Sequence, residues 1–188
     1  MSERQTLRID SIAHGGDGIG TLSSGKRAFV PQTVPGDLVE MEPVERRPSF
    51  ERGRLLRVLE AGPERVEPRC EHAAACGGCQ LQQLSAAGQL AAKERTFYDA
   101  LARVGGIPRE AIGDAGPILP SPKPFRYRIR CRLHVVGNRL GYHRRGTHDL
   151  VPIHACHLLE APLEALALRL SAHLRERPIP HLAAVELC

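Results

Sequence analysis

Three cysteines fall within residues 70–80, which read C-E-H-A-A-A-C-G-G-C-Q and set Cys70, Cys76 and Cys79 in C-x5-C-x2-C spacing. A fourth, Cys156, stands far downstream in I-H-A-C-H, while Cys131 and Cys188 are isolated. Thiols this close form a metal or cluster site, form a disulfide knot, or meet by chance. Either kind of site staples distant parts of a chain, so the rest of the fold must be arranged around that choice.

The compartment narrows it. The N-terminus, M-S-E-R-Q-T-L-R, has no apolar signal core, and no apolar run approaches the roughly 20 residues of a membrane span. A cytoplasmic protein, monomeric and without a membrane partner, is expected. In a reducing cytosol clustered cysteines bind metal or do chemistry more often than they form disulfides. Zinc usually takes two C-x2-C pairs. Only one is present here, although His72, His154 and His157 are available as further zinc ligands. A [4Fe–4S] cluster takes four thiolates, often three on one loop and one remote, which is the pattern seen. The run 73–75 before Cys76 does not read as the strand that a thioredoxin-type C-x2-C requires. Cys131 alternates with core positions and reads as a buried thiol.

The net charge of +5 is unevenly spread. Residues 115–148 contain no Asp or Glu but eight basic residues: Lys123, Arg126, Arg128, Arg130, Arg132, Arg139, Arg144 and Arg145. The remainder is net acidic. A local basic field points to a polyanion, most often nucleic acid.

The chain reads as an α+β protein. Apolar residues make up 42% and aromatics only 4%, so aliphatic side chains must fill the core. Short strands are expected at 7–12, 26–30, 38–41 and 50–59, separated by H-G-G-D-G-I-G at 14–20 and V-P-G-D at 34–37, a set that suggests a small oligonucleotide-binding (OB)-like β-barrel. A linker at 61–68 leads into the cysteines. A helix follows over 85–104, with Ser85 as N-cap and Leu90, Phe97, Leu101 and Val104 as its core stripe; Gly88 weakens its first turn. Residues 105–124 are a proline-rich connector. From 125 to 135, Phe125, Tyr127, Ile129, Cys131 and Leu133 alternate with Arg126, Arg128, Arg130 and Arg132, which predicts one half-buried strand with four guanidiniums on its outer face. Gly137-Asn138 turns it into a return strand. Pro162 opens a second helix with Leu163, Leu166, Leu170 and Leu174 as its stripe, and Pro178 ends it. Residues 181–188 look like a strand just starting, so a fragment of a longer chain is expected.

These stretches resemble the RNA (uracil-5-)-methyltransferase family, in particular its 23S rRNA branch. Cys70 with C-G-G-C-Q-L-Q resembles the family's cluster loop. H-G-G-D-G-I-G, A-F-V-P and V-P-G-D look like its TRAM barrel, and P-E-R-V-E-P-R-C like its linker. L-A-R-V-G-G, F-R-Y-R-I-R, L-G-Y-H and I-H-A-C-H-L-L are similar to its central region. The resemblance implies a TRAM-like barrel over residues 1–61 and an incomplete central domain over 62–188. It implies a [4Fe–4S] cluster on Cys70, Cys76, Cys79 and Cys156. RNA, expected to be 23S rRNA, would be contacted by the TRAM-like barrel and by the arginine strand, with Lys123, Arg126, Arg128, Arg130, Arg132, Arg144 and Arg145 as the candidate RNA-binding residues. The family methylates uracil C5 with S-adenosyl-L-methionine. The glycine-rich methyl-donor loop, the D-P-P-R segment and a nucleophilic cysteine in the family's context have no counterpart here. No catalytic residue is therefore assigned, S-adenosylmethionine would bind only through the missing C-terminal domain, and the chain is not expected to be active alone. A stand-alone RNA-binding iron–sulfur or zinc protein is the alternative; a radical S-adenosylmethionine enzyme fits the cysteine spacing poorly.

Overall fold

The computed structural model describes residues 4–113 and 116–188; residues 114 and 115 of the proline-rich connector lie outside the described part. The fold is α+β with an N-terminal barrel, and it divides into two compact units that interleave along the sequence. One takes the chain up to Glu67 together with Gln80–Pro120; the other takes Pro68–Cys79 and Ser121–Cys188.

In the first unit, β1 (Gln5–Ile12), β2 (Gly18–Thr21), β3 (Arg27–Val30), β4 (Leu38–Arg46) and β5 (Phe50–Glu60) close into a barrel in the order β1-β2-β3-β5-β4. Alternation turns Leu7, Ile9, Ala28, Val30, Val39 and Met41 inward, where they form an almost fully buried core. Closure requires β3 and β5 to pair in parallel while all other pairs are antiparallel. β2 was not expected from the sequence, because its four residues lie partly inside the glycine-rich turn. Gly18 is required there: a Cβ would lie 1.9 Å from Thr33 Oγ1. Outside the barrel, β4 and β5 carry a ladder of opposite charges with Glu42 opposite Arg54, Glu40 opposite Arg57 and Glu45 opposite Arg52.

The buried carboxylate of Asp37 ties the turn after β3 to the linker. Its oxygens accept the Val34 N–H at 2.7 Å and the Gly62 N–H at 2.8 Å. The Arg65 guanidinium closes on the same carboxylate at 2.9 and 2.5 Å.

Helix α1 (Ala86–Arg103) starts where expected, with Ser85 Oγ accepting the Gly88 N–H at 3.0 Å. Gly88 is a packing requirement here, since a Cβ would come within 2.9 Å of Leu84 and 3.1 Å of Glu64. The expected core stripe is not buried. Phe97 is 55% and Val104 88% exposed, and Gly88 is the one buried residue of the helix. A short turn, α2 (Arg109–Ile112), interrupts the connector.

The second unit is a four-stranded antiparallel sheet in the order β8-β7-β6-β9, made of β6 (Cys131–Val136), β7 (Arg139–His143), β8 (Leu150–Pro152) and β9 (Ala184–Leu187). Gly137 and Asn138, at φ 56° and 62°, join β6 to β7, as a two-residue hairpin turn requires. Helix α3 (Ala161–Glu176) buries Leu163, Ala167, Ser171 and Leu174. The stripe thus runs through two small residues, and Leu166, expected inside, is 46% exposed.

The long arginine strand does not form. Arg126 adopts φ 56°, a left-handed kink that breaks the extended chain. The segment after it pairs instead with the chain before α3: Arg126 N–H to the His157 carbonyl at 2.9 Å, Arg128 N–H to Leu158 at 2.8 Å, and Glu160 N–H to Arg128 at 3.0 Å. The strand begins only at Cys131. Ile129, expected inside, is 67% exposed, whereas Cys131 and Leu133 are buried as the alternation predicts. The alternation therefore holds only where the sheet exists.

Candidate metal centre and nucleic-acid interface

The first three cysteines sit on a run of tight turns. The Ala73 N–H donates to the Cys70 carbonyl at 3.0 Å, and the Ala75 and Cys76 amides both donate to the His72 carbonyl, at 3.0 and 2.7 Å. The β7–β8 hairpin pins this loop. Gly77 N–H reaches the His143 carbonyl at 2.9 Å, and Cys76 bridges to Arg144. A Cβ on Gly77 would lie 2.8 Å from that carbonyl oxygen, so only glycine lets the loop approach so closely. The Gly78 amide donates to the Cys76 sulfur at 3.4 Å, and a side chain on Gly78 would sit against the same sulfur.

Cys156 enters from the segment between β8 and α3. Its N–H donates to Glu164 Oε1 at 2.7 Å, and the other Glu164 oxygen is bonded by the Arg126 guanidinium. Cys76 and Cys156 are buried, Cys70 and Cys79 half-buried, and all four are thiols. Leu158, Leu159, Phe125 and Tyr142 lie in the same core cluster as Cys156 and Cys79.

Cys76 and Cys70 feel the charge of neighbouring sulfurs. Burial pushes the Cys76 thiol up from its ordinary value; the Gly78 amide opposes this, and Cys79, Cys70 and Cys156 add to it. Cys70 is raised by burial and then by Cys156, against the His72 amide. Cys131, raised by burial, also senses Cys156. Burial likewise holds the Tyr142 phenol far above its usual range, with Cys156 and Cys131 adding to the shift. Neighbouring thiols of this kind suit a cationic occupant, and three cysteines on one loop with a fourth remote in the chain are a donor set that an iron–sulfur cluster takes. Among the described residues no three Cys, His, Asp or Glu side chains are close enough together to hold a single metal ion. Of the histidines available to zinc, His72 and His154 have ring centroids 5.7 Å apart, and His157 Nδ1 is buried without a hydrogen-bond partner.

Glu164 orients Cys156, which makes it testable. Burial alone would raise its pKa, but the Cys156 amide and Arg126 outweigh that and hold it below the ordinary 4.5. A depressed carboxylate stabilises above its unfolded pKa, and that contribution is lost as the pH falls through the folded value. Glu164→Gln is expected to destabilise this unit by about 1.5–3 kcal/mol at neutral pH. Urea unfolding at neutral and at acidic pH checks it: the difference between variant and wild type should shrink in acid, and a pH-independent difference would contradict the assignment.

The basic residues singled out in the sequence differ in their surroundings. Arg126 is held by Glu164, and Arg130 pairs with Glu186 of β9. Arg128 is half-buried next to Tyr142. Arg132 is exposed on β6, Lys123 is exposed before the kink, and Arg144 and Arg145 follow β7. Acidic partners from this same chain therefore neutralise part of the field.

No protein-family model matches the sequence. An uncharacterized RNA methyltransferase of Thermosynechococcus vestitus is 37% identical over 92% of this chain and 38% of its own length. A 23S rRNA (uracil(1939)-C(5))-methyltransferase of a Shewanella species is 33% identical over 88% of this chain and 37% of its own. The crystal structure of the Pyrococcus abyssi tRNA (uracil-54, C5)-methyltransferase, in complex with S-adenosyl-L-homocysteine, superposes with TM-score 0.62 at 26% identity, covering 93% of this chain and 38% of that one. Sequence and fold together make this chain a homologue of the RNA methyltransferases. Among its relatives are enzymes named for uracil C5. The chain spans rather more than a third of the length of the relatives it matches.

Proposed function

We propose that this chain is the RNA-engaging and cluster-binding part of an S-adenosylmethionine-dependent RNA uracil-C5 methyltransferase, with 23S rRNA as its substrate. The observation that supports the reading is that Cys76, on the loop with Cys70 and Cys79, senses the charge of both and of the remote Cys156, in a homologue of RNA methyltransferases. Those four residues would hold a [4Fe–4S] cluster. When bound, the cluster supplies four iron–thiolate bonds and a concentrated positive charge, tying the loop to the segment before α3. The chain's own groups prepare for it: Gly77 allows the close approach, the Gly78 amide points at sulfur, and Glu164 fixes the Cys156 backbone. With all four thiols engaged, the role is structural.

The methyl donor and the uracil would be handled by the rest of the enzyme. Here the basic side chains bind the backbone of RNA. With Arg126 and Arg130 already engaged by glutamates, Lys123, Arg132, Arg144 and Arg145 are the leading phosphate contacts, with Arg128 beside them. Protein purified without oxygen should carry about four iron and four sulfide per chain and absorb in the visible. It should bind an rRNA fragment with affinity that falls steeply with salt, with a slope of about −0.7 per phosphate contact on single strands. Replacing Arg132, Arg144 and Arg145 by Ala should flatten that slope by about 2. Colourless, zinc-loaded protein would sink the cluster, and salt-independent binding would sink the phosphate contacts.

A further inference from the structure

Tyr142 carries a buried polar group that nothing in the chain satisfies. On β7 it shares a face with the buried Leu140, and its strand partner is the buried Val151. The ring packs against the core cluster that contains Cys131 and Cys156. It also lies against the cysteine loop. A Cβ on Gly78 would sit 3.6 Å from two ring atoms of Tyr142 and 3.4 Å from the Cys76 sulfur. A bare Gly78 thus lets ring and sulfur border the same space. Among the described residues the Tyr142 hydroxyl oxygen is buried and has no hydrogen-bond partner. Such a group is costly to bury and calls for an explanation.

Its neighbours say what would satisfy it. The Arg128 guanidinium feels the phenol strongly enough to offset its own burial, yet it stands beside the hydroxyl without reaching hydrogen-bond geometry. Arg128 is fixed by its backbone, which bonds Leu158 and Glu160 just after Cys156. A guanidinium can only donate, so it leaves the phenol proton without an acceptor. Burial, then Cys156 and Cys131, hold the phenol far above its usual range, so it keeps its proton and can serve as a donor. The remaining neighbours are sulfurs. A neutral thiol accepts weakly, whereas a thiolate takes a charge-assisted hydrogen bond.

We propose that Tyr142 donates its hydroxyl proton in a hydrogen bond to the Cys156 thiolate when the four cysteines are loaded, with Arg128 holding the hydroxyl oxygen from its other side. The proposal rests on the cluster reading above and adds a residue outside the ligand set. Cys131, on the same face of the core but outside that set, stays a neutral thiol and is the poorer acceptor. Tyr142 is then a positioning residue: it stabilises negative charge on the remote ligand, the one that no loop holds in place. Hydrogen bonds to the sulfurs are among the levers by which a protein tunes an iron–sulfur site.

Resonance Raman spectra of protein purified without oxygen, in H2O and D2O, test this alongside the rate of iron loss to a chelator. Wild type should show iron–thiolate bands that shift on deuterium exchange. Tyr142→Phe removes only the hydroxyl; it should keep its iron, show a smaller deuterium shift and lose iron roughly tenfold faster, as one charge-assisted hydrogen bond allows. Arg128→Met should speed the loss to a lesser degree, and Arg128→Lys should restore it. In a Cys131→Ala background Tyr142→Phe should have the same effects; their disappearance would make Cys131 the acceptor and overturn the proposal. Faster loss with an unchanged deuterium shift would mark packing alone and overturn it too. So would a Phe variant that assembles no iron, since one hydrogen bond cannot outweigh four iron–thiolate bonds. An unaltered shift and rate would overturn the hydrogen bond and leave the cluster standing. Wild type without iron would overturn this inference and the cluster reading together.

Discussion

Replacing Asp37 by Asn should cost the first unit about 3–5 kcal/mol, a large share of an ordinary domain's stability. Asparagine has the same shape, so the effect isolates chemistry from volume. Every group facing this carboxylate is a donor: the Val34 amide, the Gly62 amide and the Arg65 fork. An Asn side chain has one acceptor oxygen, and its NH2 must then point at a donor. Arg65, only 20% exposed, would lose its counter-charge where water replaces it poorly. Urea unfolding should show a midpoint lowered by about 2 M. A loss below about 1 kcal/mol would mean that the barrel does not depend on this pair.

The second large effect concerns the thiols. Cys156→Ser should abolish cluster assembly, leaving less than about one iron per chain, because the loop cysteines alone supply three of the four ligands a closed cluster needs. Cys131→Ala is the informative comparison. Cys131 is equally buried and senses the charge of Cys156, yet it lies on β6 as a core residue outside the proposed set. Iron content should survive its loss. If Cys131→Ala loses iron and Cys156→Ser keeps it, the ligand set has been drawn wrongly. Cys79→Ser should behave like Cys156→Ser, and a match between those two variants ties the remote cysteine to the loop.

Much of this was legible in the sequence where the cause is local. Ser85 caps α1 because the motif acts over three residues, and Gly137-Asn138 turns a hairpin because two adjacent residues adopt positive φ. Four of the five barrel strands showed in the sequence, while β2 was hidden in the glycine-rich turn. What sequence reading missed depends on distant partners. V-P-G-D reads as a turn, but the task of its Asp37 comes from Arg65, 28 residues on. Alternation from Phe125 predicts a strand, yet Arg126 is drawn into a kink by the chain before α3 and by Glu164, and neither leaves a trace in the local pattern. The apolar stripe on α1 resembles a core face, but Phe97 and Val104 stay exposed.

The interleaving of the two units bears on the order of synthesis. Pro68–Cys79 leaves the ribosome before the rest of its unit, which begins again only at Ser121. Cys70, Cys76 and Cys79 thus emerge roughly 80 residues ahead of Cys156, which at about 5–20 residues per second is about 4–16 s. During that interval the hairpin that pins the loop has not been made. The early thiols wait on an unsupported segment while the barrel and α1 can already fold. On the proposed ligand set, all four thiols come together only once the I-H-A-C-H segment arrives, and the three early ones are exposed until then to any oxidant or competing metal.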